Sequence, residues 1–268
     1  MSDVYAMINE VDQEIQERLV DVLEMRAADP RQRSMWEAYL SEIAYPQNAH
    51  VLEIGCGTGT VSRLLAQQPA AARVIGIDPS PVFISRARTL SLGISNLSFE
   101  EGDGRSLPFE AHAFDVAVVH QALSHVPQPE QLIAEAFRVL RPGGWLAVFD
   151  GDYATATVST GEYDLLEACV RAFRTNFIHD SWIVRRLPQL LAAAGFDTRP
   201  LRSHGYVEAP LGAYMLTWIE RGADVLLNSG RIGNQAAEAL KAEAKRRSTA
   251  KGWFGHIAFA SILGQKPA

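Results

Sequence analysis

The sequence predicts an α/β fold, a doubly wound and mostly parallel sheet with helices on both faces. Between about residue 50 and residue 150, short apolar segments alternate with amphipathic segments of helical period. Glycine, proline and aspartate cluster between these segments, as they do in turns. Strands that alternate with helices of this length are typical of doubly wound sheets.

The spacing of apolar residues and the signals at segment ends predict seven strands and nine helices. The predicted strands are residues 50–54, 73–77, 97–100, 114–119, 145–149, 198–207 and 255–263. The predicted helices are residues 8–27, 31–43, 61–66, 83–92, 129–140, 163–177, 186–194, 211–227 and 232–247. The strand at 145–149 is expected to end before Asp150, Asp152 and Tyr153, which would then lie in a loop.

Length, charge and cysteine content narrow the classes of function. The 268 residues carry a formal net charge of −6, which disfavours nucleic acid and anionic membrane as partners. The two cysteines, Cys56 and Cys169, give neither a disulfide framework nor a zinc-binding spacing, so we expect a cytoplasmic protein without a metal site. We also expect no signal peptide and no membrane-spanning segment. The oligomeric state is left open.

The chain divides into a core and added helical segments. Residues 1–45 are predicted to form an N-terminal helical lid, and residues 46–268 the ligand-binding domain, with helical insertions at about 153–186 and 211–251. Aromatic side chains in these segments either cover an apolar pocket for a second small molecule, the acceptor discussed below, or pack the helices against the sheet. They are Trp36, Tyr39, Phe173, Phe177, Trp182, Tyr214 and Trp218.

The turn after the first predicted strand is the most informative segment. Its glycines run G-x-G-x-G from Gly55, with the acid Glu53 two residues before them and Thr60 where a dinucleotide site would need glycine. Glycine lets the backbone bend sharply and lets a ligand approach it closely. A carboxylate beside free backbone amides suits S-adenosylmethionine (SAM), which carries an ammonium, a carboxylate and a sulfonium. Cys56 lies within this turn and is included in the predicted SAM contacts.

Two further acids follow the second and third strands. Asp78 can accept hydrogen bonds from both ribose hydroxyls, although an Asp in this position is also a common helix cap. Pro79 would offer apolar surface near the adenine. Asp103 and Gly104 can meet the adenine amine and a ring nitrogen, or can form a simple Asp-Gly turn. The carboxyl ends of parallel strands share one edge, so these acids are expected to converge.

Five motifs occur in an order that resembles the class I SAM-dependent methyltransferases, especially the ubiquinone and menaquinone methyltransferase group. They are Glu-Ile-Gly-Cys-Gly-Thr-Gly at 53–59, the strand ending at Asp78, Gly-Asp at 102–103 before Leu-Pro-Phe at 107–109, Phe-Asp-Val at 114–116, and Arg-Val-Leu-Arg-Pro-Gly-Gly at 138–144. The resemblance implies a seven-stranded sheet whose last strand is antiparallel.

The resemblance also implies roles for individual residues. Glu53, Gly55 and Gly57 would line the methionine part of SAM. Asp78 would hold the ribose, while Asp103 and Gly104 would contact the adenine. His120 would flank the methyl group that is transferred.

The chemistry expected of such a site is in-line transfer of a methyl group to a small, partly apolar metabolite. Alignment and exclusion of water are the main requirements, and a base is needed only if the acceptor must lose a proton. His125 is the candidate base, or it braces the next helix. The alternatives are a SAM-binding protein of the same fold that does not methylate, such as a cyclase or a regulatory binder, and an NAD-dependent oxidoreductase.

Overall fold

A single sheet organises the chain in the computed structural model, which describes residue 3, residue 5 and residues 7–268. Its strands are β1 (Ala49–Ile54), β2 (Ala71–Asp78), β3 (Leu97–Glu101), β4 (Phe114–His120), β5 (Leu140–Thr157), β6 (Asp197–Thr198), β7 (Arg202–Glu208) and β8 (Gly255–Gln265). They lie in the order β3-β2-β1-β4-β5-β8-β6, with β7 also paired to β8. The first five are mutually parallel, and β8 is antiparallel to β5, β6 and β7. The predicted doubly wound sheet with an antiparallel last strand is confirmed.

The predicted sixth strand is divided into β6 and β7. Both pieces pair with β8, so the eight strand segments fill seven positions. The interruption at residues 199–201 contains Pro200, which has no N–H to donate to a neighbouring strand.

Strand β5 extends well beyond the predicted end at residue 149. It pairs with β8 as far as Thr157 opposite His256, with an irregularity after Asp152. Asp150, expected in a loop, is buried in this strand, where its carboxylate accepts the N–H groups of Ser124 at 3.0 Å and Gly151 at 2.7 Å. The polar sequence suggested a loop, but a buried carboxylate is tolerated in a strand when its oxygens are hydrogen-bonded.

The helices flank the sheet on both faces. They are α1 (Gln13–Ala28), α2 (Pro30–Leu40), α3 (Thr60–Ala66), α4 (Pro81–Leu90), α5 (Pro129–Val139), α6 (Leu166–Phe177), α7 (Leu187–Ala193), α8 (Tyr214–Asn228) and α9 (Asn234–Thr249). Alternate strand residues enter two separate cores. One core contains α5 and α7, and the other contains α2, α3, α6 and α8.

The N-terminal helices are held against the core by polar contacts. Tyr206 donates its hydroxyl to Asp29 at 2.7 Å, and Arg31 donates to the Val207 carbonyl at 3.0 Å, which ties the α1–α2 junction to β7. Glu24 forms an ion pair with Arg63 of α3 at 3.2 Å. These contacts place α1 over the carboxyl ends of the central strands.

The first predicted helix, residues 8–27, is interrupted. A short 3-10 turn covers Ile8–Glu10, and α1 begins only at Gln13. Residues 1, 2, 4 and 6 of the predicted lid lie outside the described residues. Across the part of the chain that the structure describes, no helix has both the length and the apolar character needed to cross a bilayer.

Candidate active site

The ends of β1, β2, β3 and β4 meet at one cavity of about 530 Å³. Ligand sites of small molecules typically have volumes of roughly 300–1,000 Å³. All the residues predicted to bind SAM or to act as a base line this cavity. They are Glu53, Gly55, Cys56, Gly57, Asp78, Pro79, Asp103, Gly104, His120 and His125. The structure thus brings them together, and their individual roles stay predictions.

The turn after β1 has the left-handed backbone that favours glycine. Gly55, Gly57 and Gly59 have φ values of +75°, +52° and +76°. A Cβ on Gly55 would lie 2.7 Å from the Cβ of Ala122. Glycine is therefore needed at residue 55 both for the turn and for the close approach of the chain after β4.

The expectation of free backbone amides in this turn is wrong for residues 55–57. The N–H groups of Gly55 and Cys56 donate to the Ile77 carbonyl at 2.8 and 3.0 Å. The N–H of Gly57 donates to Asp78 at 2.9 Å. The turn uses these donors to fix its own shape, so they are not available to a ligand carboxylate.

Glu53 lies almost completely buried at the end of β1. The hydroxyl of Ser62 donates a short hydrogen bond to its carboxylate. Burial raises the pKa of Glu53 to about 8, against the opposing effect of the hydrogen bonds from Ser62. A carboxyl group of this kind gives up its proton when a cation comes to lie beside it.

Asp78 braces two elements with one carboxylate. One oxygen accepts the N–H of Gly57 and the other accepts the N–H of Ser80, each at 2.9 Å. Burial raises its pKa to about 6, although these two hydrogen bonds act in the opposite direction. Ser80, not Asp78, caps α4, because its hydroxyl accepts the N–H of Phe83 at 3.1 Å. The reading of Asp78 as the helix cap is therefore wrong.

Asp103 lies at the other end of the cavity, in a more exposed turn. It accepts the backbone N–H of Arg105 at 2.8 Å and forms an ion pair with the Arg105 guanidinium at 2.7 Å. The hydrogen bond from that side chain holds the pKa of Asp103 below its ordinary value. The Asp-Gly turn and the predicted adenine contact are compatible, since a carboxylate has further acceptor positions.

His120 is fixed as part of an aromatic stack. Its ring lies parallel to Phe149 at 5.0 Å between centroids, and its Nδ1 is 2.9 Å from the Tyr39 hydroxyl. The indole of Trp36 meets it edge-on at 4.8 Å. Burial lowers the pKa of His120 well below its ordinary value, so the ring is neutral and rigid at neutral pH.

His125 is held by an acid from the N-terminal segment. Its Nδ1 lies 2.7 Å from the carboxylate of Asp3, and the Tyr5 ring lies 4.6 Å from its own. Asp3 also accepts the N–H of His179 at 2.7 Å. Sequence reasoning missed Asp3, because no local pattern connects it with a residue that is 122 positions away.

The N-terminal segment supplies other cavity residues that were not predicted, among them Tyr5, Leu23 and Arg26. A signal for Arg26 existed in the sequence. It lies seven residues after Leu19 and three after Leu23, so it occupies a position on the apolar stripe of α1. A charged residue on such a stripe points to a specific partner.

Of the two alternatives for the aromatic residues, packing of the helices holds for most of them. Of the seven predicted residues, only Trp36 lines the described cavity. Phe173 stacks on Trp218 at 4.6 Å, and Tyr214 meets Trp218 edge-on at 5.2 Å. Packing of α6 against α8 buries these rings, while Trp182 is half exposed.

Comparison with known proteins places this site in a family. Residues 52–148 match the methyltransferase domain family. An uncharacterized 37.1 kDa protein of a transposon from Streptomyces fradiae is 33% identical over 178 residues, 66% of this chain and 52% of that protein. The demethylmenaquinone methyltransferase of Lactococcus lactis is 25% identical over 193 residues, 65% of this chain and 77% of that enzyme.

The likeness extends to solved structures. The [4+2]-cyclase SpnF has a TM-score of 0.56 and 21% identity, with 88% of this chain and 82% of that chain covered. The chain spans about half the length of the first curated relative that it matches. Residues 52–148 thus belong to the methyltransferase domain family, and the resemblance to the class I SAM-dependent methyltransferases is confirmed.

Proposed function

We propose that the protein transfers the methyl group of SAM to a small, partly apolar acceptor by in-line displacement. The observation that carries this proposal is the convergence of four strand ends, with Glu53, Asp78 and Asp103, on one cavity. The methyltransferase domain at residues 52–148 supports it. The cavity volume of about 530 Å³ suits a nucleoside and part of a small acceptor.

The residues present fit SAM in their chemistry. Glu53 is a buried carboxylate that favours a cationic neighbour, and we assign it to the amino-acid end of SAM with Gly55, Cys56 and Gly57. Asp78 is assigned to the ribose. Asp103 and Gly104 are assigned to the adenine, with Pro79 beside it.

Bound SAM supplies an activated methyl group, because its sulfonium is a good leaving group. The protein then has to align the acceptor and keep water out. His120 serves as a rigid, neutral wall of the methyl-donor side, since its ring is held by Tyr39 and Phe149.

His125 is proposed as the base for an acceptor that must lose a proton. Its Nδ1 is engaged by Asp3 at 2.7 Å, which leaves Nε2 as the nitrogen that can take the proton. Asp3 is a positioning residue, because it fixes the tautomer and the orientation of the imidazole.

The N-terminal segment, residues 1–45, is proposed to act as the lid of the acceptor site. It supplies Tyr5, Leu23, Arg26 and Trp36 to the cavity wall. Residues 46–268 then form the SAM-binding domain. Insertions of this kind determine which acceptor a shared core accepts.

The direct test has two steps. Calorimetric titration with SAM and S-adenosylhomocysteine should show binding, and absence of binding at high micromolar ligand would refute the proposal. Methyl-labelled SAM incubated with the protein and a small-metabolite extract should then give a labelled low-molecular-mass product. Labelled nucleic acid or protein would contradict the choice of acceptor class.

A second candidate is a SAM-binding protein of the same fold that does not methylate. The structural likeness to the [4+2]-cyclase SpnF is the observation that favours this second candidate. Such a protein would bind SAM but form no S-adenosylhomocysteine while it acts on its own ligand. Product analysis for S-adenosylhomocysteine separates the two candidates.

The expected setting is proposed to be the cytoplasm. Cys56 and Cys169 are both free and buried, as in proteins that do not depend on disulfides. The net charge of −6 supports a small molecule rather than nucleic acid as the partner.

A further inference from the structure

Arg26 is a buried cation for which the described part of the chain supplies no ion-pair partner. It lies near the end of α1, is only 8% exposed and lines the cavity. Its Nε is buried without a hydrogen-bond partner. Among residue 3, residue 5 and residues 7–268, no carboxylate forms an ion pair with its guanidinium.

The nearby acids are already engaged. Asp150 accepts two backbone N–H groups, from Ser124 and Gly151. Glu24, two residues earlier on α1, forms an ion pair with Arg63 at 3.2 Å. Asp150 acts on Arg26 through its charge alone, and neither carboxylate accepts a hydrogen bond from the guanidinium, so its donors are not satisfied by these groups.

The other neighbours of Arg26 are aromatic and neutral. Its guanidinium carbon lies 5.2 Å from the centroid of the Tyr214 ring. Burial raises the pKa of Tyr5 to about 12 and that of Tyr153 well above its ordinary value. The contact with Tyr214 offsets part of the cost of burial, but a ring does not satisfy the planar donors of a guanidinium.

A guanidinium cannot escape this cost by losing its proton, because arginine stays charged in proteins. Buried charges are normally paired. The arrangement of donors on arginine matches a carboxylate in a bidentate manner. An arginine that lines a cavity and has no ion-pair partner among the described residues therefore indicates an anionic ligand.

The glycine turn gives an independent reason to look for such a residue. The N–H groups of Gly55, Cys56 and Gly57 are engaged with Ile77 and Asp78. A ligand carboxylate that enters the cavity has to find its donors elsewhere. Arg26, which α1 provides, lines the same cavity.

We propose that Arg26 is the carboxylate receptor of this cavity. The carboxylate belongs either to the methionine part of SAM or to the acceptor, and the chemistry of recognition is the same. The inference rests on the proposed function, because it takes SAM and an acceptor as the occupants.

The test compares Arg26→Gln with wild-type protein by calorimetry. Two probes are titrated, S-adenosylhomocysteine and 5′-methylthioadenosine, which lacks the amino-acid part. If the cofactor supplies the carboxylate, the variant binds S-adenosylhomocysteine about 10- to 100-fold more weakly, and its affinity for 5′-methylthioadenosine is unchanged.

The second arm tests the acceptor as the source. Small apolar carboxylic acids such as cinnamate and octanoate are titrated into protein saturated with S-adenosylhomocysteine. If the acceptor supplies the carboxylate, wild-type protein binds such acids and the variant loses this binding, while its affinity for S-adenosylhomocysteine is retained. Arg26→Lys should recover part of the affinity, because it keeps the charge but not the bidentate geometry.

Arg18→Gln is the matched control, since it removes the same charge from an exposed position of α1, where Arg18 forms an ion pair with Glu14. It should match wild-type protein in both arms. The proposal is overturned if Arg26→Gln also matches wild-type protein in both arms, or if it unfolds in the absence of ligand. Failure of wild-type protein to bind S-adenosylhomocysteine would instead refute the proposed function.

Discussion

The imidazole of His125 is hydrogen-bonded to the carboxylate of Asp3, with 2.7 Å between Nδ1 and Oδ2. The Asp3 side chain is almost fully buried, at 1% exposure. The contact joins the N-terminal segment to the segment that follows β4. It engages Nδ1, so Nε2 is the nitrogen proposed to take a proton from the acceptor. Through this pair, the N-terminal segment that is proposed to cover the site also sets the orientation of the proposed base.

The Asp3–His125 pair predicts separable effects on binding and on catalysis. His125→Asn should reduce methyl transfer to an acceptor that loses a proton by roughly 10²-fold, which is typical for removal of a base. Asp3→Asn should give a smaller loss, because the imidazole loses the carboxylate that fixes its orientation. Affinity for S-adenosylhomocysteine, measured by calorimetry, should stay near that of wild-type protein. An unchanged rate in both variants would contradict the proposed base.

We predict that Glu53 releases its proton when SAM binds. Its pKa of about 8 means that the carboxyl is mostly protonated at pH 7. A bound cation favours the ionised form and lowers that pKa, so about one proton should be released per SAM at pH 7. Affinity should therefore rise as the pH increases towards 8 and level off above it.

Calorimetry in two buffers with different ionisation enthalpies measures this proton release. Glu53→Gln is the control, since it keeps the shape of the side chain and cannot titrate. It should bind SAM more weakly and release fewer protons at pH 7. Equal proton release by both proteins would rule out Glu53 as the titrating group.

Asp78 and Asp103 are predicted to contribute unequally to cofactor binding. Asp78 is buried and also holds Gly57 and Ser80, so Asp78→Asn should weaken binding of S-adenosylhomocysteine at least about tenfold. Asp103→Asn should have a smaller effect, because that side chain is 47% exposed and is paired with Arg105. Calorimetry gives the affinities and thermal unfolding tests the fold. A larger loss for Asp103→Asn would contradict this ranking.

A side chain at residue 55 of the glycine turn is predicted to lower the stability of the folded protein. Gly55→Ala places a Cβ 2.7 Å from that of Ala122 at a φ of +75°, and it should destabilise the protein by about 2–4 kcal/mol. Gly93→Ala is the matched control, since φ there is +90° but nothing lies within 4 Å of the added Cβ. Its cost should be about 1 kcal/mol. Urea unfolding measures both, and equal costs would show that the close contact with Ala122 is relieved at little expense.

Much of the core followed from local sequence patterns. The strands at β1 and β4 were predicted within one residue, because buried parallel strands are short apolar runs closed by turn residues. The end of β5 was missed, since the acids after Phe149 have the composition of a loop. Asp150 is accommodated in the strand because its carboxylate accepts the N–H groups of the next residue, Gly151, and of Ser124, which lies 26 residues earlier.

The sequence by itself determined the sheet, the glycine turn and the three acids at 53, 78 and 103, since each depends on residues close together in the chain. The tertiary structure decided which side chains complete the site. Asp3 reaches His125, Arg26 reaches the cavity, and most of the aromatic residues of the added helices pack in the core. Contacts between distant segments are set by how helices pack on the sheet, and a local pattern, even where it marks a residue such as Arg26, does not name the partner that packing brings to it.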